Sequence, residues 1–143
     1  MESKSGSKLD DKSKAIDPAK AGFLPALVEP KANVTRLFDD LAIRDAVVHY
    51  PDDMMWVNGL KARRLVFGVI NDLNENVSVQ PIGRAGAAKG NLGSATTVNK
   101  NSEGLVPLDI LVTYWAPWLS VSITAASGPS SGKITVYAIW TED

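Results

Sequence analysis

Apolar and polar residues alternate with a period of two over much of the chain, the pattern of strands that bury one face. It is clearest in the C-terminal third. Leu108, Ile110, Val112 and Tyr114 fall on one side of an expected strand, with Asp109, Leu111, Thr113 and Trp115 opposite. Leu119, Val121, Ile123 and Ala125 then alternate with Ser120, Ser122 and Thr124, the cleanest amphipathic strand in the chain. Ser127 to Gly132 read as a turn, and Ile134, Val136, Ala138 and Trp140 alternate with Thr135, Tyr137, Ile139 and Thr141 beyond it. A hairpin is therefore expected to close the chain.

Upstream, Arg64 to Ile70 is apolar on both alternating faces, which predicts a strand in the sheet interior with both faces covered. Asn71 to Asn76 reads as a polar turn and Val77 to Gln80 as a half-exposed strand, so these two runs are expected to form a hairpin. Ala46 to Tyr50, stopped by Pro51, and Met54 to Val57, stopped by Asn58-Gly59, read as two further strands. Val34 to Ala46 predicts an extended start with at most one helical turn. Residues 83–104, rich in Gly, Ala, Ser and Asn, form the longest expected loop, with a short strand near Thr96 to Val98.

About seven or eight short strands with no βαβ alternation predict an all-β fold, an antiparallel β-sandwich or jelly roll carrying an extended N-terminal arm. The arm is assigned to residues 1–31 and the sandwich to 32–143. Residues 1–31 are rich in Lys, Ser and Asp and lack an aromatic before Phe23, so by themselves they cannot offset chain entropy by burial.

Composition narrows the function classes. Fifteen basic and sixteen acidic residues in 143 leave a net charge of −1, which argues against nucleic acid as a partner. Cysteine is absent, which removes disulfides, thiolate metal sites and thiol catalysis. The first twenty residues hold five Lys and four acids, unlike a signal peptide. No apolar run approaches the roughly 20 residues of a transmembrane helix, so a soluble protein with no membrane partner is expected.

Candidate chemistry is sparse. The one histidine, His49, sits in an expected strand, where packing or hydrogen bonding accounts for it better than catalysis. Hard-cation ligands are available only as Asp39-Asp40, Asp52-Asp53 and the Asp72, Asn74, Glu75 turn, none with EF-hand spacing. Gly83 to Gly90 has a phosphate-loop composition without the Gly-Lys-Ser/Thr ending or a following helix. Asn33-Val34-Thr35 and Asn76-Val77-Ser78 match glycosylation sequons, which carry weight only in a secreted chain. No catalytic residue, cofactor or metal site is assigned.

Trp115-Ala116-Pro117-Trp118 is the most unusual local feature. Exposed, the two indoles would stack on a sugar, together with Tyr114, or anchor in a partner's pocket. Buried, they would cap the sandwich, and strand position favours burial of at least one ring. From Leu105 onward only Asp109, Lys133, Glu142 and Asp143 are charged, and the hydroxyl face of the 118–126 strand is polar without charge. Both features predict docking or oligomerisation through the C-terminal sheet.

Arg64 to Ile70, the turn Asn71 to Asn76, Val77 to Gln80, the Ala116 to Val121 run and the closing Gly132 to Val136 resemble the strand vocabulary of small β-sandwich structural proteins of virus and bacteriophage morphogenesis clusters, including head-decoration and tail-associated subunits. The resemblance spans about Asn33 to Trp140. It implies a non-catalytic virion subunit that binds copies of itself or capsid or tail proteins. Its contacts would be the apolar arm residues Leu9, Ile16, Phe23, Leu24 and Leu27 and the pair Trp115 and Trp118. Carbohydrate-binding modules share much of this vocabulary, and they supply the competing role, a lectin-like domain binding a neutral glycan.

Overall fold

A computed structural model describes residues 32–110 and 114–142. The arm residues Leu9, Ile16, Phe23, Leu24 and Leu27 lie outside the described residues, as do 111–113. The described chain is all-β: β1 (Asn33–Leu41), β2 (Val57–Asn58), β3 (Arg64–Asn71), β4 (Val77–Ala85), β5 (Ala88–Asn91), β6 (Thr96–Val98), β7 (Ser102–Leu108), β8 (Trp118–Ala125) and β9 (Ile134–Thr141). They form a four-stranded sheet in the order β1-β9-β3-β7 and a five-stranded sheet in the order β2-β8-β4-β5, with β6 also on β4. All pairings are antiparallel.

This strand order is that of a jelly roll, in which β5 and β6 act as two pieces of one strand beside β4. Pro81 sits where β4 changes partner from β6 to β5, and its carbonyl accepts the Leu92 N–H at 2.8 Å. Wrapping of this kind sends most successive strands to opposite sheets, and that overturns both expected hairpins. β3 and β4 do not pair: β3 lies between β9 and β7, while β4 lies between β8 and β5. Likewise β8 and β9 belong to different sheets. The two polar turns are arches between layers rather than hairpin loops.

The arches lie against each other. Asp72 N–H donates to the Lys133 carbonyl at 3.0 Å, Ala126 N–H to the Asn76 carbonyl at 2.9 Å, and Asn74 Nδ2 to Ser130 Oγ at 2.8 Å. Gly132 has φ +89°, and a Cβ there would overlap the Asp72 carbonyl, so the close approach requires glycine. Asn71 is fully buried at this end and uses its side-chain amide on main-chain groups of the 73–75 turn and of the 98–99 segment.

Between the sheets, the inward residues of β3 (Leu65, Phe67, Val69), β4 (Val77, Val79), β8 (Leu119, Val121, Ile123) and β9 (Ile134, Val136, Ala138) form the core. Other expectations shift in detail. β1 is extended with no helical turn, and Ala46 to Tyr50 is not a strand: His49 makes a single bridge to Ile123. The Met54 strand shrinks to Val57–Asn58. The expected 83–104 loop instead holds the end of β4, a tight β4–β5 hairpin at Gly86 (φ +62°), the short strand at Thr96–Val98 and the start of β7. The expected 108–115 strand begins earlier, because Ser102 to Leu108 is the run in register with β3.

Candidate functional site

The Trp115–Trp118 motif leads into β8 at one end of the five-stranded sheet. Here the expected burial is overturned: Trp115 is 49% exposed and Trp118 39%. The reason is local. Leu119 takes the first core position of β8, so alternation turns Trp118 to the outer face, and Ala116 rather than either indole contacts Gly83 from the core side. Tyr114, the third ring of the glycan reading, is half-buried with its ring against Gly93 and packs on the core.

Asn58-Gly59 fixes the motif. Asn58 Oδ1 accepts the Leu60 N–H at 2.9 Å and its carbonyl accepts those of Lys61 and Ala62. The turn so formed presents Gly59 to the motif. Gly59 N–H donates to the Pro117 carbonyl at 2.7 Å, and the Trp115 indole N–H donates to the Gly59 carbonyl at 2.7 Å. A Cβ at Gly59 would overlap the Ala116 carbonyl oxygen. The indole of Trp115 thus has its polar edge satisfied by protein while half of its surface remains in solvent.

Arg84 of β4 stands opposite Trp118 in the β4–β8 register. Its guanidinium lies 4.7 Å from the Trp56 ring centroid and donates to Asp53 Oδ1 at 3.3 Å. Lys89 stacks at 3.9 Å on Tyr50 in the same region of the sheet. Continuing the β2–β8 register by one residue sets Trp56 opposite Ser120, whose hydroxyl also belongs to the outer face. The Trp56 Nε1 and Ser120 Oγ atoms are buried without a hydrogen-bond partner. With Met54, 88% exposed, and the exposed Met55 and Leu60, this end of the five-stranded sheet presents indole, thioether and aliphatic surface.

The hydroxyl face expected to dock a partner is largely covered by the chain itself, since Ser120 and Ser122 are buried. Sequence reasoning singled out the tryptophans of the motif and missed Trp56 and Arg84. The signal for Arg84 was present: carrying the Val77 to Gln80 alternation through Pro81 places Ile82 and Arg84 on the outer face.

His49 is hydrogen-bonded, as expected from the sequence. Its main chain exchanges hydrogen bonds with Ile123 at 2.8 and 3.0 Å, and Nε2 lies 2.8 Å from Asp45 Oδ1. This hydrogen bond holds the Asp45 carboxyl below its ordinary value, aided by the Val47 N–H and opposed by partial desolvation. A cleft of about 320 Å³ opens beside it, lined among others by Arg36, Asp39, Leu41, His49, Tyr50 and Met55. Arg36 and Asp39 pair there at 3.0 Å.

Other acids are likewise engaged: Asp40 with Thr135, and Asp53 with Arg84. Among the described residues no three His, Asp or Glu side chains gather where a metal ion would sit. No described helix is long and apolar enough to cross a membrane.

The chain is similar in fold to a solved structure of the SPBc2 prophage-derived protein YomS, at 13% identity and a TM-score of 0.50, over 80% of this chain and 96% of that one. Further similarity extends to Bacillus endospore appendage pili, at 12% identity and a TM-score of 0.42 over 79% and 90% of the two chains. The Tobacco streak virus coat protein matches at 9% identity and a TM-score of 0.35 over 81% and 89%. No protein-family model and no curated protein matches the chain. The β-sandwich resemblance drawn from strand vocabulary therefore has its counterpart in three dimensions, as a likeness of fold.

Proposed function

We propose that this protein is a non-catalytic assembly subunit of a virion, in a capsid-decoration or tail position, that binds neighbouring subunits through its Trp115–Trp118 rim and its 1–31 arm. The observation that carries the proposal is the rim itself: two exposed indoles, that of Trp115 anchored by its N–H on the Gly59 carbonyl, in a motif whose main chain is tied to the same turn, with Leu60 exposed next to Gly59. Tryptophan pre-ordered by a hydrogen bond loses little entropy on docking, and central Trp side chains dominate protein interfaces. Jelly rolls serve as capsid and lectin domains, so the fold accommodates the role without specifying it. The fold of the prophage-derived neighbour agrees with a phage origin.

Apolar arm residues Leu9, Ile16, Phe23, Leu24 and Leu27 would add contacts on an adjacent subunit, where a segment too polar to fold alone gains order by wrapping another surface. The test is incorporation into particles. Trp115→Ala with Trp118→Ala should leave unfolding cooperative and reduce incorporation at least about tenfold; undiminished incorporation would overturn the proposal.

The lectin-like alternative retains one favourable feature, the exposed rings of Trp115 and Trp118, the latter opposite Arg84 in the β4–β8 register. Tyr114 is spent on Gly93 and the core, which removes one of its three stacking platforms. Glycan-array binding abolished by Trp118→Ala would move the assignment to that class.

A further inference from the structure

One register row crosses four strands on the outer face of the five-stranded sheet at the rim: Asn58, Trp118, Arg84 and Lys89. Arg84 and Lys89 stand directly opposite each other, a like-charge pair that costs stability in an antiparallel ladder. Each cation rests on an aromatic ring of the segment 50–56, Arg84 at 4.7 Å from the Trp56 centroid and Lys89 at 3.9 Å from that of Tyr50. Stacking orders both groups without cancelling their charge.

Negative charge at this row comes from Asp53, 3.3 Å from Arg84; the Asp53 side chain is 93% exposed and that of Arg84 20%. Asp52 lines the cleft bounded by Arg36 to Leu41 of β1 instead. Residues 83–95 hold no acid. Asp109 and Glu142 follow β7 and β9, and continuing the register of the other sheet sets them opposite Arg64 and Arg63.

We propose that the rim recognises an acidic segment of a neighbouring subunit, which sets a carboxylate on Arg84 and Lys89 and an apolar side chain on Trp118. The inference rests on the assembly reading above and names the chemistry of the partner. Any surface that covers Trp118 also strips water from the two cations beside it, and only a negative group offsets that cost. Exposed ion pairs contribute little, so a partner carboxylate readily takes Arg84 from Asp53, and inside a closed contact the new pair is screened less. The guanidinium is already ordered on Trp56 and offers a fork that matches a carboxylate.

Strands lie about 4.8 Å apart, and side chains two residues apart on an extended segment share a face at about 6.6 Å. An apolar residue followed two positions later by Asp or Glu therefore spans Trp118 and the cations. Two cations in a chain of net charge −1 suit such a local acid better than a polyanion, which needs many phosphate contacts.

Incorporation into particles tests the site. Lys89→Glu, at an exposed position, should lower it at least about tenfold, and Arg84→Gln more than Arg84→Lys. Asp53→Asn deletes the competing carboxylate and should raise incorporation several-fold, whereas a merely structural pair predicts a fall. Raising NaCl from about 0.05 to about 0.5 M should weaken the parent several-fold and leave the R84Q/K89Q double variant little changed.

A double variant incorporated like the parent overturns this proposal, and the assembly reading then stands or falls on W115A/W118A alone. If R84Q unfolds, as circular dichroism would show, K89E and D53N decide: parental incorporation of K89E, or a fall in D53N, refutes the acidic partner. Titrated with oligothymidylate or heparin and followed by Trp fluorescence, the full chain should bind neither more tightly than about 100 μM. Tighter binding of either probe that K89E abolishes would assign the row to nucleic acid or a sulfated glycan and overturn the proposal.

Discussion

Asn71→Asp is the sharpest perturbation of the arches that join the two layers. In the native chain Nδ2 lies 3.1, 3.2 and 3.1 Å from the carbonyl oxygens of Glu75, Val98 and Asn99, and Oδ1 accepts the Leu73 N–H at 3.0 Å. The residue is wholly buried. Aspartate keeps the acceptor and deletes both amide hydrogens, so a carboxylate faces carbonyl oxygens with no donor between them. Two lost donor bonds at about 1–3 kcal/mol each give a cost of about 2–6 kcal/mol, against a total stability of about 5–15 kcal/mol.

Burial among acceptors favours the protonated acid, which donates one bond back, so the folded pKa of the new side chain lies above the unfolded value of about 3.9. The penalty is then complete at neutral pH and shrinks as pH falls through the folded value. Asn71→Ala removes every bond without adding a titrating group, and its cost stays constant with pH. Urea unfolding followed by the fluorescence of the four tryptophans measures both. With m of about 1–3 kcal/mol/M, the midpoint of N71D at pH 7 should fall by about 1 M or more relative to the parent. Part of that loss should return at pH 4, measured against the parent at the same pH. An unchanged midpoint at pH 7, or no pH dependence separating N71D from N71A, would refute the account of the arches.

Two further outcomes follow from other contacts. Gly59→Ala drives a methyl into the Ala116 carbonyl; it should cost at least about 2 kcal/mol, seen as a lower Tm, and redden Trp emission as Trp115 loses its anchor, while an unchanged Tm would show that the motif does not depend on this turn. The lowered Asp45 carboxyl stabilises the fold above its unfolded pKa and loses that contribution as pH falls through the folded one, so Asp45→Asn should flatten the acid limb of stability, and equal pH profiles for parent and variant would count against the His49 bond.

Alternation was a faithful guide where one strand face meets the core. Leu119 to Ala125 and Ile134 to Thr141 appear as β8 and β9 almost residue for residue, and Arg64 to Ile70 is a sheet-interior strand. It misled at Leu108 to Trp115, where a register one strand length upstream fits β3, and at residues 83–104, where small residues concealed short strands. The Trp motif was visible as composition, but its exposure was not: which face Trp118 takes depends on Leu119 filling the core position, and Trp115 depends on the Gly59 carbonyl.

By itself the sequence determined that this protein is built of strands, because a two-residue period of burial is a property of neighbouring side chains on one backbone. It also determined the single histidine, the lack of cysteine and the unusual concentration of indole surface at residues 115–118. Tertiary structure decided the partners. Asn71 to Asn76 and Ser127 to Gly132 have hairpin composition, yet each crosses between layers, since their polar groups are satisfied by one another's main chain and a glycine at 132 lets the two turns approach. Pairing is long-range, and local alternation carries no information about which distant strand supplies the hydrogen bonds. For the same reason only the folded sheet reveals which face of β3, apolar on both, meets the core.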